Sequence, residues 1–192
     1  MKKFALAAVV ACVVATPAVA QDTAFSGPRI EGIVGYDRPD ADGDNADGIV
    51  YGVGVGYDFR RGGAVFGVEA EASDSTADEC FTGVTVATDE LCLDAGRDFY
   101  VGGRVGAVVG PRALLYAKAG YTNARARLTY EDGTAATAPD FSVSDNLDGL
   151  RVGAGVEFAL SPNAYLRSEY RYSNYESGFE RHQVVGGFGF RF

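Results

Sequence analysis

Apolar residues alternate with glycine or polar residues along most of the chain from about residue 29 onward. A period of two is the pattern of a β-strand whose two faces meet different surroundings. A strand that crosses a bilayer at a tilt needs about 9–11 residues, whereas strands of soluble proteins are nearer five or six. Eight segments of about 9 to 13 residues alternate in this way: residues 29–37, 48–59, 64–73, 98–110, 114–124, 149–160, 164–174 and 182–192.

The connections between these segments are short on one side and long on the other. About two to four residues join the second segment to the third, the fourth to the fifth and the sixth to the seventh. The remaining connections have about seven to twenty-four residues. Short periplasmic turns and long extracellular loops are the plan of a transmembrane barrel. The pattern therefore predicts an all-β chain, an eight-stranded antiparallel up-and-down transmembrane β-barrel.

One face of each predicted strand is apolar, and the other mixes glycine with charged residues. Alternation does not say which face points inward, because a soluble barrel would put its charges outside. Eight strands enclose just enough space for side chains to fill, so long charged side chains there require small neighbours such as glycine. The charged face is therefore predicted to line the interior, where an unpaired charge would cost several kcal/mol. The predicted lumen charge network is Glu69, Glu71, Arg104, Lys118, Arg151, Glu157, Arg167, Glu169 and Arg171. It is interpreted as a structural plug, with a proton or ion pathway as the alternative.

The N-terminus has the features of a secretory signal peptide. Lys2 and Lys3 precede an apolar run at residues 4–15, and Ala18 and Ala20 form an A-x-A cleavage pattern. We predict a signal peptide at residues 1–20 and a barrel domain at residues 21–192. A lipoprotein signal that acylates Cys12 is the alternative. The formal net charge of −9 argues against a nucleic-acid partner.

Two cysteines, Cys80 and Cys92, remain after cleavage of the signal peptide. An even number in an exported protein favours a disulfide, which would close a loop of about 13 residues and stabilise the fold by about 3 kcal/mol. Metal sites usually have three or four ligands, and the one histidine of the chain, His182, is distant in sequence. No metal and no cofactor are predicted.

The segment at residues 39–48, PDADGDNADG, raises the question of a calcium loop. An EF-hand loop that began at Asp40 would need glycine at position six and an acid at position twelve, where Asn45 and Tyr51 stand. The first three long loops and their flanks hold 16 of the 26 acids of the chain. This segment is therefore interpreted as the acidic tip of the first extracellular loop. A weak divalent-ion contact beside anionic lipopolysaccharide stays open.

The last strand carries Phe188, Phe190 and Phe192 at alternate positions and ends on an aromatic residue. Together with residues 98–125, 149–160 and 164–176, this ending resembles the small eight-stranded outer-membrane proteins of the opacity-protein-like and outer-membrane-protein-A-like group of alphaproteobacteria. The resemblance covers about residues 25–192. It implies a location in the bacterial outer membrane, contact with outer-membrane lipid and lipopolysaccharide, and recognition of the three phenylalanines by the barrel assembly machinery.

The expected function is that of a structural or surface barrel that contributes to envelope integrity or surface interaction, and not that of an enzyme. Alternatives are an adhesin or a binder of haem or of a host ligand through the loops, a narrow pore, and a lipid-modifying enzyme. Catalysis is disfavoured because His182 has no neighbouring serine that it could activate. Five aromatic residues in or near the long loops are either contact residues or rim aromatics: Phe81, Tyr130, Phe141, Tyr175 and Phe179.

Overall fold

The computed structural model describes residues 25–41, 44–45, 47–82, 90–131 and 141–192. Its described residues form ten strands and one 3-10 turn, Glu176–Gly178, which precedes the last strand. The first five strands are β1 (Gly27–Ala41), β2 (Asp44–Asn45), β3 (Gly48–Arg61), β4 (Ala64–Ser75) and β5 (Asp78–Thr82). The others are β6 (Glu90–Val109), β7 (Ala113–Glu131), β8 (Phe141–Ala159), β9 (Ala164–Tyr175) and β10 (Glu180–Arg191). No α-helix in this part of the chain is long and apolar enough to cross a membrane.

Eight of the ten described strands, all except β2 and β5, form the wall of a closed barrel. Each wall strand pairs antiparallel with the next wall strand along the chain. The last strand, β10, pairs with β1 from Asp40↔Glu180 to Arg29↔Arg191, which closes the sheet on itself. The predicted eight-stranded up-and-down antiparallel barrel is confirmed. Residues 1–20, the predicted signal peptide, lie outside the described residues.

The turns at one end are as short as the sequence predicts. Gly62 and Gly110 begin two of them with left-handed backbone angles, φ +62° and +69°. A side chain is disfavoured at such angles, so these positions favour glycine. Phe25, the first residue that the structure describes, and Phe192 lie at the same end, which we call the proximal end.

The apolar face of the wall strands points outward. Val53, Val68 and Leu150 are 60%, 65% and 70% exposed on the outside of the isolated barrel. Residues of the opposite parity are buried or half-buried in the interior. This sense of the alternation agrees with the prediction and gives the barrel an apolar belt.

The prediction of loops of about twenty-four residues at residues 74–97 and 125–148 is wrong. Most of their residues continue the strands beyond the wall and pair with one another, up to Glu90↔Glu131 and Tyr130↔Phe141. Neither lipid nor the barrel interior flanks these extensions, so their sequence lacks the sustained apolar alternation that predicted the wall. We call this extension the distal sheet: β5 and residues 90–97, 124–131 and 141–148.

Cys80 and Cys92 face each other in the register of β5 and β6. Directly opposed residues of an antiparallel pair have Cα atoms about 4.5–5.5 Å apart, within the range that a disulfide bridges. Both side chains lie outside the described part of the structure, so the disulfide stays a prediction that this register favours.

Candidate functional site

The barrel interior is filled with charged side chains. Among the described residues, eight cationic and eight anionic side chains are buried there, and we call these sixteen the interior network. The cations are Arg29, Arg104, Lys118, Arg151, Arg167, Arg171, Arg181 and Arg191. The anions are Glu31, Asp37, Asp58, Glu69, Glu71, Asp98, Glu157 and Glu169. The formal charges of the two sets cancel.

The nine residues of the predicted lumen charge network all belong to this set, and the structure brings them together. The other seven were not predicted, although their positions in the inward–outward alternation of the strands indicate the interior. Asp58 follows Gly52, Gly54 and Gly56 on the inward face of β3. Arg181 and Arg191 have the parity opposite to the terminal phenylalanines. The inward charges of β1, Arg29 and Glu31, alternate with outward residues in the same way.

The proximal layer of the network is centred on Asp58. Arg104 Nε donates to Asp58 Oδ1 at 2.8 Å, and Arg191 Nη2 donates to Oδ2 of the same carboxylate at 2.7 Å. Arg104 and Arg191 also share Glu157, at 3.1 and 2.8 Å. Arg29 lies 3.3 Å from Asp58 and 2.9 Å from Glu31, which connects this layer to the next.

The middle layer is the densest. Lys118 Nζ lies 2.8 Å from Glu69 and 2.9 Å from Glu169. Arg171 pairs with Glu71 through both of its terminal nitrogens and donates from Nε to Glu169 at 2.8 Å. Arg167 reaches Glu169 at 3.0 Å, while Glu71 also accepts from Arg167 at 3.4 Å. Each charge here faces several opposite charges, as buried ions require.

The distal layer continues the network to the other end of the wall. Arg151 bonds Asp98 and lies 3.7 Å from Glu71, which links the middle layer to this one. Arg181 lies 3.4 Å from Asp98, and its Nε donates to Asp37 at 2.8 Å. The ion pairs thus form one connected chain from Arg191 at the proximal end to Asp37 at the distal end.

An apolar cluster covers the proximal mouth. Phe25 is fully buried against Val65 and Leu114. The Arg191 guanidinium lies 5.7 Å from the centre of the Phe25 ring, within cation–π range. The residues just before β1 therefore fold into the barrel end and cap the charged interior.

Two residues expected at the extracellular rim lie in the interior instead. Asp37, counted among the acids of the long loops and their flanks, is 0% exposed. Tyr175, expected as a rim or contact aromatic, is 2% exposed, and its hydroxyl donates to Asp98 at 2.9 Å. Both have inward parity on strands that run further than predicted. Phe179 packs on Tyr175 at 5.5 Å between ring centres.

The other predicted residues lie outside the interior or outside the described side chains. Phe188, Phe190 and Phe192 point outward from β10, with 45%, 47% and 72% of their surfaces exposed. His182 lies on the same face, with Nδ1 2.7 Å from the Tyr170 hydroxyl. The side chains of Phe81, Tyr130 and Phe141 lie outside the described part, as do those of residues 41–46 in the aspartate segment, whose described backbone pairs β2 with the end of β1. No cluster of three or more His, Cys, Asp and Glu side chains suited to a metal occurs among the described residues.

A closed barrel with an apolar outside and a charged, filled inside is the architecture of a small outer-membrane protein. The sequence model of the family described as outer membrane protein beta-barrel domain matches residues 4–192. The chain belongs to this outer-membrane β-barrel family. A 22 kDa outer membrane protein of Rhizobium leguminosarum bv. viciae is 29% identical over 163 residues, 77% of this chain and 70% of the relative.

Solved structures share the fold of this outer-membrane barrel. The attachment invasion locus protein Ail of Yersinia pestis, solved with the heparin analogue sucrose octasulfate, gives a TM-score of 0.60 at 19% identity. The match covers 88% of this chain and 100% of Ail. Neisserial surface protein A gives a TM-score of 0.61 at 18% identity, over 87% of this chain and 98% of the other. The family places the protein in the bacterial outer membrane, so its apolar belt faces lipid and the distal sheet lies on the side of the long loops.

Proposed function

We propose that this outer-membrane barrel is a non-catalytic structural and surface protein, a closed wall element that carries the distal sheet outside the cell. The continuous interior network, from Arg191 to Asp37, is the observation that carries the proposal. Its charges form ion pairs across the barrel interior and so connect the wall strands to one another. These charged groups therefore stabilise the barrel. In a closed barrel of eight strands, little space remains beyond that of the side chains.

The same network supports a barrel that does not conduct ions. A permeating ion would have to separate several buried ion pairs in succession, and each disrupted pair costs several kcal/mol. The Phe25 cluster adds an apolar barrier at the proximal mouth. The proton or ion pathway is therefore the weaker interpretation of these charges.

Planar-bilayer recordings with the purified protein should show no large, steady single-channel steps. The physical reason is that buried, paired charges occupy the interior of the described barrel along its length, and an ion would have to separate them. A general porin, reconstituted at the same protein-to-lipid ratio, is the positive control. Reproducible steps of uniform size from the folded barrel would contradict a closed wall element and favour a pore.

The distal sheet supports the surface part of the proposal. It is an ordered four-stranded extension, and β5 and residues 141–148 of β8 are its edges, which could pair with a partner strand. Its strand segments contain seven acids and three arginines. This charge disfavours a sulfated polyanion of the kind bound to Ail, and it favours a neutral or cationic partner.

Complementation of a strain that lacks the gene separates the two parts of the proposal. The full chain should restore resistance to detergent and to large antibiotics. A variant in which a short turn replaces residues 77–96 should restore resistance equally, because the wall and the interior network remain. If the distal sheet is the contact region, cells that carry this variant should lose the binding to a surface that cells with the full chain show. Unchanged envelope resistance in the deletion strain would contradict the structural role.

A further inference from the structure

The lipid-facing wall is indented where β10 closes the barrel against β1. An apolar groove of about 760 Å³ lies there on the outside. Its floor is formed by small residues on three neighbouring strands, and its sides include Leu166, Phe188 and Tyr51. The small residues are Gly32, Ser168 and Gly186.

The register explains the groove. Gly186 stands opposite Val34 on one side and Ser168 on the other, while Gly32 stands opposite Phe188 and Val53. The chain itself does not require these glycines: a Cβ at Gly32 would meet no atom within 4 Å, and one at Gly186 only the Val34 carbonyl oxygen at 3.8 Å. Glycine weakens a strand unless something approaches it closely. Here the free space lies on the lipid side.

A polar cluster lies on the same strands, towards the distal end. Arg38 pairs directly with His182 in the register of β1 and β10. The Tyr172 ring centre is 5.1 Å from that of His182, and the Tyr170 hydroxyl is 2.7 Å from Nδ1. In the tautomer in which Tyr170 donates to Nδ1, Nε2 carries the proton and is a donor. The exposed Arg38 guanidinium adds further donors and a positive charge.

The spacing between groove and cluster fits one membrane lipid. His182 is four residues from Gly186, about 13 Å along the strand, which a tilt of about 35–45° reduces to a depth of about 10 Å. One leaflet of the hydrocarbon core is about 15 Å thick. The outward residues of β10 are apolar from Phe190 to Val184 and polar from His182 onward, so we place the groove among acyl chains of the outer leaflet and the cluster level with the headgroups above them.

We propose that this surface, the seam site, binds one anionic glycolipid of the outer leaflet, a lipopolysaccharide. Its phosphate or carboxylate groups contact Arg38 and His182, and an acyl chain occupies the groove over Gly32, Ser168 and Gly186. The site faces the leaflet of the long loops, which favours this lipid over a phospholipid of the inner leaflet. A second copy of the chain fits less well, because a two-fold axis along the membrane normal would set two Arg38 side chains against each other.

Native mass spectrometry of the full mature protein in detergent tests the seam site, with purified rough lipopolysaccharide and phosphatidylglycerol as probes. One lipopolysaccharide should be retained per barrel. Filling the groove with G32L/G186L, or neutralising the cluster with R38Q/H182Q, should each lower retention about tenfold, the loss expected for one charged or well-packed contact. Matched controls are G103L, an outward glycine on β6 whose Cβ would meet only Gly67 O at 3.6 Å, and R97Q on the same strand. Both should retain the lipid as the wild type does.

Three outcomes would overturn the proposal. Equal retention in G32L/G186L and G103L would show that the groove binds no acyl chain. Retention of phosphatidylglycerol with the same response to the variants would assign the site to phospholipid. A wild-type dimer that G32L/G186L converts to a monomer would assign the groove to a second copy. Folding of each variant is checked by its heat-modifiable migration in gels, and a groove variant that fails to fold is replaced by G32A/G186A.

Discussion

Replacement of Glu71 with glutamine should lower the free energy of unfolding by about 3–5 kcal/mol, the cost of removing one charged partner from a set of buried ion pairs. Glu71 pairs with Arg171 through both oxygens and lies 3.4 Å from Arg167 and 3.7 Å from Arg151. Glutamine has nearly the same shape but no charge, so the interior would hold one excess positive charge. The chain has no tryptophan, so urea unfolding is best followed by circular dichroism and gel migration.

A double-mutant cycle shows whether the effect comes from pairing. The variant E71Q/R171Q restores neutrality to the interior and should lose less stability than the sum of the two single variants, by about 0.5–3 kcal/mol. Glu176→Gln, at an exposed position just after β9, is the matched control and should stay within about 0.5 kcal/mol of the wild type. Additive losses, or an E71Q barrel as stable as the E176Q barrel, would refute a stabilising interior network.

The sequence predicts the wall well because two environments act on alternate residues. Lipid selects apolar residues such as Val53 and Val68 on one face, and the crowded interior selects glycine beside charge on the other. Both signals repeat on each strand, so fold class, strand count and the sense of the faces follow from the chain alone. The register between strands leaves no such signal. The contact between Arg151 and Asp98, 53 residues apart, depends on it and could not be predicted.

The distal sheet was missed for a related reason. Beyond the bilayer, water replaces lipid, and a strand no longer needs an apolar face, so residues 124–131 and 141–148 resemble loops in composition. Backbone pairing holds them in the sheet without a hydrophobic pattern. The same boundary explains Tyr175, which lies near the end of β9 yet keeps the inward parity of that strand. If the inward–outward alternation is continued to the ends of the strands, it places Tyr175, Asp37 and Asp98 in the interior.

Replacement of Phe192 with alanine should sharply reduce the amount of folded barrel in the outer membrane of cells and leave refolding of the purified protein nearly unchanged. The Phe192 ring is 72% exposed on the outside, so it contributes little to packing within the barrel. Its backbone N–H donates to the Pro28 carbonyl at 2.9 Å, a bond that alanine keeps. A loss confined to cells would therefore reflect recognition of the last strand by the assembly machinery.

Phe59→Ala is the matched control for this experiment. Phe59 is 58% exposed on the outward face of β3 near the proximal turns, so its removal takes away a similar lipid contact without changing the end of the chain. The F59A barrel should reach the outer membrane of cells at nearly the wild-type level. Equal reductions for F59A and F192A would assign the effect to lost lipid contact. Poor refolding of F192A into vesicles that contain no other protein would instead assign it to barrel closure, because β10 pairs there with β1.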